Sequence, residues 1–152
     1  MLIFFMKNVL SIIFIGLFFG NSVFANTADL KRNYFIYDNL LADYTRCHYY
    51  FLFLADSVVV NDSFSKDARD EFISNSKLAG ELAFIFKEKI DLSIEAMVSR
   101  QKLYANNMID LIGNEIKNID VLSAKYKDRC AAMITSPQIR YQHWIDKAHS
   151  KW

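Results

Sequence analysis

The stretch that decides the fold is Arg46 to Asp56, RCHYYFLFLAD, in which a cysteine and a histidine precede a run of six apolar or aromatic residues. The run Tyr49–Leu54 is too short to cross the ~30 Å hydrocarbon core of a bilayer. In a helix it makes most of the circumference apolar, which is typical of a helix contacted on several sides. Neighbouring helical side chains point about 100° apart, so Cys47 and His48 do not face one another. The stretch therefore predicts the middle of a buried helix.

Apolar residues continue this helix in both directions. They recur at spacings of three and four, which places them on one broad stripe. Its members are Leu30, Tyr34, Tyr37, Leu40, Leu41, Tyr44, Cys47, His48, Phe51, Leu54, Ala55 and Val58. The spacing predicts a first helix over residues 28–58, which would be roughly 45 Å long.

Residues that break helices are scarce in the rest of the chain. Between residues 26 and 152 there are two glycines, Gly80 and Gly113, and one proline, Pro137. Sheets joined by tight turns usually contain many more. This composition favours helices throughout.

Three further helical segments can be assigned. Ser63 or Ser65 is the predicted N-cap of a second helix, which contains Phe72, Ala79 and Phe86 and ends or bends near residues 89–93. A third helix can run over residues 94–134, with a possible break at 106–107 or 113–114. Ser136 and Pro137 resemble an N-cap and first helical position, which starts a last helix carrying Trp144. We therefore predict an all-α fold, an antiparallel bundle of three long helices with a short C-terminal helix.

The first 25 residues have the pattern of a secretory signal peptide. Lys7 is their one charge, an apolar run follows from Val9 to Phe19, and small or polar residues lead to Ala25. Cleavage after Ala25 would leave residues 26–152 as one domain in the periplasm or secreted outside the cell. Retention of the segment as a membrane anchor is the alternative, and either Met1 or Met6 can be the start.

Charge limits the kinds of partner. Removal of residues 1–25 takes away Lys7, one of 18 basic residues, and leaves 17 basic residues against 17 acidic ones. A nucleic acid or an anionic membrane surface generally requires a surplus of basic residues. We expect neither as a partner, apart from a membrane if the signal segment is retained.

The exported domain has two cysteines, Cys47 and Cys130, each on an apolar stripe. In an oxidising compartment we expect them to form a disulfide. The loop of about 84 residues that it closes corresponds to roughly 4.5 kcal/mol in the chain-entropy model. The alternative is a nucleophilic Cys47 with His143 as its base.

Known catalytic and metal-binding motifs do not occur in the sequence. It has no Cys-x-x-Cys, no His-Glu-x-x-His, no glycine-rich phosphate loop and no Gly-x-Ser-x-Gly. We therefore expect no metal, no cofactor and no enzymatic activity.

Tyrosine is concentrated in the first helix, with five residues between positions 34 and 50. These rings can fill the core with their hydroxyls at its rim, or they can form a recognition surface, since aromatic residues are enriched at interfaces. The candidate interaction surface consists of Tyr34, Tyr37, Tyr49, Tyr50 and Trp144.

These features together favour an exported, non-enzymatic protein that binds another envelope or secreted protein, for example as an inhibitor, immunity protein or assembly factor. One alternative is a binder of a lipid or other apolar ligand between the helices. The other is an enzyme that uses Cys47 with a C-terminal histidine.

Overall fold

The structure is a computed structural model that describes residues 27–60 and 65–152. The predicted signal peptide, residues 1–25, lies outside this range. The described residues form helices and no strand, which confirms the all-α class. Five α-helices follow one another in the described residues, and a short 3₁₀ turn, Ile116–Asn118, precedes the fourth: α1 Thr27–Val60, α2 Lys66–Lys89, α3 Ile94–Leu111, α4 Ile119–Thr135 and α5 Pro137–Lys151.

Helix α1 is the central element of the compact unit formed by Lys31–Trp152. Six consecutive residues, from Leu40 to Thr45, are buried. Because successive side chains of a helix differ by about 100° in direction, six buried in a row mean that this part of α1 is enclosed on every side. Within the stretch Arg46–Asp56, the side chains of Cys47, Tyr50, Phe51 and Leu54 belong to the same core.

Helix α2 runs antiparallel to α1. Ser76 donates a hydrogen bond from its hydroxyl to the carbonyl of His48, 3.1 Å away. Ten residues later, the Phe86 ring stacks on Tyr44 and Tyr37 with centroid separations of 5.7 and 6.0 Å. Later residues of α2 thus meet earlier residues of α1.

Helix α4 also runs antiparallel to α1, whereas α3 runs parallel to it. Ser123 of α4 lies 3.4 Å from the Tyr50 hydroxyl, and Met133 contacts the Cys47 sulfur at 3.7 Å. In α3, Arg100 forms an ion pair with Asp38 of α1. The ring of Tyr104, four residues later, lies 4.4 Å from the guanidinium of Arg46.

Gly80 allows α2 to approach the His48 side chain closely. A Cβ atom at position 80 would lie 3.1 Å from Nδ1 of His48. The same Nδ1 lies 3.0 Å from the carbonyl oxygen of Ser76, to which it can donate. The histidine of the Cys47–His48 pair is therefore a contact between helices.

The helix boundaries agree with the predictions at several points. The hydroxyl of Ser65, one of the two predicted caps, accepts a hydrogen bond from the Ala68 N–H, and α2 ends at Lys89. Pro137 is the first residue of α5, as predicted. The Ser136 hydroxyl, however, makes no capping hydrogen bond.

The predicted third helix is divided into α3 and α4. The division falls at the second of the two expected break points, where Gly113 and Asn114 have φ values of 62° and 59°. The Asn114 N–H donates to the carbonyl of Ile109, and that of Gly113 donates to Asp110. This is the hydrogen-bond pattern of a Schellman C-cap, which favours glycine at the left-handed position.

Helix α2 ends with the same motif but has an aspartate where α3 has glycine. Asp91 has a φ of 50°, and the Leu92 N–H donates to the carbonyl of Lys87. An L-residue with a side chain adopts this conformation at a cost that glycine does not have. The carboxylate also lies at the negative end of the helix dipole.

Replacing Asp91 by glycine should therefore raise the free energy of unfolding, by about 1 kcal/mol. Gly113→Ala is the matched change in the opposite direction and should lower it by a similar amount. Urea denaturation of both variants measures the effect. A loss of stability in the Asp91→Gly variant would contradict this reading of the turn.

Candidate functional site

Cys47 and Cys130 form the predicted disulfide, with an S–S distance of 2.07 Å and a Cα–Cα distance of 5.3 Å. Both residues have no exposed surface. The bond joins the middle of α1 to α4. While it is intact, Cys47 has no thiol to act as a nucleophile.

Asp43 lies one turn before Cys47 on α1 and is only 2% exposed, although it is an acid. Its Oδ2 atom accepts two hydrogen bonds from α5. Arg140 Nε donates at 2.7 Å, and Trp144 Nε1 donates at 2.9 Å. The two donors are four residues apart and therefore lie on the same face of α5.

The other oxygen of Asp43 faces two more arginines. Its Oδ1 atom lies 3.5 Å from Nη1 of Arg46 and 3.9 Å from Nη1 of Arg129. Three guanidinium groups, from α1, α4 and α5, thus surround one buried carboxylate. We call this group of residues, with Trp144, the Asp43 cluster; its net formal charge is positive.

Aromatic side chains of α1 and of the C-terminal end of the chain extend the cluster where α1 and α5 meet. Phe35 of α1 packs edge-on against Trp144 and Trp152, with ring centroids 5.9 and 5.2 Å apart. The Lys151 ammonium lies 4.7 Å from the Phe35 centroid and 4.8 Å from that of Trp152. Trp152 remains 46% exposed. We call Phe35, Trp144, Lys151 and Trp152 the aromatic surface.

On the other side of Asp43, helices α1, α3 and α4 border an open cleft of about 680 Å³. Three of its residues are basic, namely Arg46, Lys125 and Arg129, and we call it the basic cleft. The remaining lining residues are Tyr104, Asn107, Asp110, Leu111 and Tyr126.

The five residues of the predicted interaction surface are not brought together. Tyr34 is 49% exposed, whereas Tyr50 is 2% exposed and lies in the core. Tyr37 and Tyr49 are half-buried at different positions around α1. Trp144 is half-buried and is the one member that belongs to the aromatic surface.

Burial raises the pKa of several tyrosines of α1, including Tyr37 and Tyr44. It raises the pKa of Tyr37 to about 12, with a further contribution from the neighbouring Tyr141. Burial also raises the pKa of Tyr44, and the nearby Asp43 carboxylate adds to the shift. The folded state therefore favours the neutral phenols.

We expect the protein to lose stability at alkaline pH for this reason. The contribution of the neutral phenols to the free energy of unfolding is fully present below the tyrosine pKa of the unfolded chain, near 10. It is lost as the pH rises toward about 12, because the tyrosines of the unfolded chain ionise first. Urea denaturation over this range, with tyrosinate absorbance as a second readout, measures the effect. Tyr37→Phe should show a shallower loss, and an equal loss in that variant would exclude Tyr37 as a cause.

Sequence reasoning missed Asp43 and Arg140. Asp43 is three residues after Leu40 and four before Cys47, so it occupies a core position of the α1 stripe. A carboxylate at such a position was the available indication of a buried ion pair. Its partners Arg140 and Trp144 are 97 and 101 positions away in the sequence, so the pairing could not be predicted from local spacing.

The described residues contain neither a helix able to span a membrane nor a metal-binding group. None of the helices is both long enough and apolar enough to cross a membrane. In residues 27–60 and 65–152, no group of three or more histidine, cysteine or acidic side chains is placed to hold a metal ion. Comparisons with protein-family models, curated proteins and solved structures gave no match.

Proposed function

We propose that the protein is an exported, non-enzymatic helical bundle that binds another envelope or secreted protein. The inhibitors, immunity proteins and assembly factors of the cell envelope are the classes in which such a domain would act. The observation that supports binding most is the aromatic surface on α1 and α5.

The aromatic surface has the composition of an interface centre. Tryptophan is among the residues that contribute most to protein binding, especially where a ring is partly buried and held by its neighbours. Trp144 is fixed by its hydrogen bond to Asp43, and Phe35 packs between the two tryptophans. Little side-chain entropy would then be lost when a partner covers the exposed part of Trp152.

The disulfide supports export as part of this proposal. A completely buried Cys47–Cys130 bond is compatible with an oxidising compartment outside the cytoplasm, where such bonds persist. It also removes the thiol on which the enzymatic alternative depends.

One observation favours the apolar-ligand alternative. A second opening, of about 330 Å³, is lined mainly by Phe53, Val60, Ile109, Ile112 and Ile116. Asp56 and Asn114 complete its lining. Native mass spectrometry of the exported protein distinguishes the two functions, because a copurifying lipid would appear as a discrete added mass.

Site-specific crosslinking tests the proposed protein partner. The photoreactive residue p-benzoylphenylalanine replaces Trp152 in one variant, with an affinity tag on a flexible linker after it. After irradiation of the intact envelope, we expect one discrete adduct, whose partner is identified by mass spectrometry. No adduct at position 152 would contradict the proposal.

Ile139 provides the matched control position. It lies on the same helix, α5, and is 66% exposed, but it is not part of the aromatic surface. The same photoreactive residue at position 139 should give no adduct or a much weaker one. Equal adducts at both positions would indicate non-specific proximity and would also contradict the proposal.

A further inference from the structure

We propose that the basic cleft binds a small molecule through a phosphate or carboxylate group, held by Arg46, Lys125 and Arg129. This inference goes beyond the proposed function, because it concerns a different surface and does not require a protein partner. The size of the cleft, its positive charge and the position of its arginines beside Asp43 support this binding.

The cleft has a suitable size and shape. Its volume of about 680 Å³ lies within the range of sites that hold small ligands in proteins. Three helices contribute its walls, and α1 and α4 are joined below it by the Cys47–Cys130 disulfide. The positions of the lining side chains are thus supported by the core.

The charge of the cleft is positive. Arg46, Lys125 and Arg129 line it together with one acid, Asp110. The carboxylate behind it, Asp43, already accepts hydrogen bonds at 2.7 and 2.9 Å from α5. The cleft itself therefore carries three basic side chains against one acid, and an added anion would offset the excess.

Both arginines of the cleft face Asp43 and retain N–H donors for a ligand: Arg46 donates a hydrogen bond to Asp43, whereas the half-exposed Arg129 makes a longer ionic contact with it. Both approach the same oxygen of Asp43, at 3.5 Å for Arg46 and 3.9 Å for Arg129, which brings the guanidinium groups near each other. Arg46 is also held against the Tyr104 ring, 4.4 Å from its centroid. A guanidinium has five N–H donors, so one contact with Asp43 leaves several for a ligand.

The two arginines of the cleft favour a ligand that carries a carboxylate or a phosphate. The planar N–H groups of arginine match the paired oxygens of a carboxylate or phosphate, and such charge-assisted hydrogen bonds are among the stronger ones. Lys125 supplies a third positive charge from α4. The ring of Tyr126, which is largely buried, and the side chain of Asn107 contribute the remaining contacts, with an aromatic face and an amide.

Titrations monitored by NMR test this site with inorganic phosphate and with citrate as probes. We expect saturable shifts in the backbone amides of residues 104–111 and 125–129 and in the Nε–H signals of Arg46 and Arg129. Chloride at matched ionic strength should not reproduce them. Shifts that are the same with chloride, or that spread evenly over the exposed lysines, would overturn the proposal.

One double variant and one control variant locate the binding. Lys125→Gln combined with Arg129→Gln should weaken the affinity for phosphate and citrate by about tenfold or more. Lys127→Gln changes an exposed lysine two residues away on α4 that does not line the cleft, and it should have no effect. Thermal denaturation establishes that each variant is folded, and an unchanged affinity in the double variant would overturn the proposal.

Flotation with phosphatidylglycerol vesicles distinguishes the two sources of a phosphate group. Vesicle binding that is lost in the Lys125→Gln, Arg129→Gln variant would assign the anion to a lipid headgroup, and so contradict a small-molecule ligand. Saturable phosphate or citrate binding without vesicle binding supports the small-molecule ligand. The Trp152 crosslink is unaffected by either result, so failure here is separate from failure of the proposed function.

Discussion

Replacing Asp43 by alanine should lower the free energy of unfolding by about 3–5 kcal/mol, the usual loss when one partner of a buried ion pair is removed. Arg140 Nε and Trp144 Nε1, both on α5, would lose the acceptor that they share on α1. Arg46 and Arg129 would face the same site without a counter-charge. Urea denaturation of the purified variant measures the change.

Two further substitutions separate charge from packing. Asp43→Asn keeps a carbonyl oxygen of the same shape, so it should lose less stability than Asp43→Ala. Asp110→Ala removes an exposed acid from the basic cleft and should change the stability by less than about 0.5 kcal/mol. If Asp43→Ala lost no more stability than Asp110→Ala, the Asp43 cluster would have no structural role.

Removing the disulfide is the second change with a large expected effect. The Cys47→Ala, Cys130→Ala double variant should lose roughly 4.5 kcal/mol of stability, because the bond joins residues separated by 83 positions. This is a large part of the ~5–15 kcal/mol that holds a typical domain folded. Thermal and urea denaturation of the oxidised wild type and the double variant provide the comparison.

Reduction of the wild type gives an independent measure of the same contribution. Dithiothreitol should lower the midpoint of thermal denaturation in the wild type and leave the double variant unchanged. Equal midpoints for the oxidised wild type and the double variant would show that the bond does not stabilise the fold.

Much of the fold could be predicted because the information is local. The spacing of apolar residues in α1, the cap at Ser65 and the proline at the start of α5 depend on residues within a few positions of one another. The disulfide between Cys47 and Cys130 is a long-range feature that could still be predicted, because the two cysteines of the sequence allow one pairing.

The division of the third helix was harder to place, because the apolar spacing continues through it. The sequence offers Asn106–Asn107 and Gly113–Asn114 as alternative break points, and a polar pair does not by itself end a helix. The structure continues α3 through residues 106–107 and ends it before Gly113. A residue at positive φ was needed there, and glycine adopts it at the lowest cost.

The candidate sites depend on contacts between distant helices, so the sequence could not define them. Asp43 and Arg140 are 97 positions apart, and Asp43 and Trp144 are 101 apart. The tyrosine pattern indicated an aromatic first helix but not which rings are exposed. That depends on which neighbouring helix covers each side, and Tyr50 is covered while Tyr34 is not.

The Asp43 cluster links the two surfaces that we propose to be functional. The Oδ2 atom of Asp43 accepts a hydrogen bond from Trp144 of the aromatic surface. The Oδ1 atom of Asp43 faces Arg46 and Arg129 of the basic cleft. A substitution at Asp43 should therefore affect both surfaces. Substitutions at Trp152 and at Lys125 should each affect one.

The function that we propose requires an exported domain closed by one disulfide. The most direct test of this requirement is the intact mass of the protein recovered from the periplasm or the medium, alkylated without reduction. We predict the mass of residues 26–152 with no alkylated thiol. A mass that retains residues 1–25, or one that carries two alkylated cysteines, would contradict this proposal.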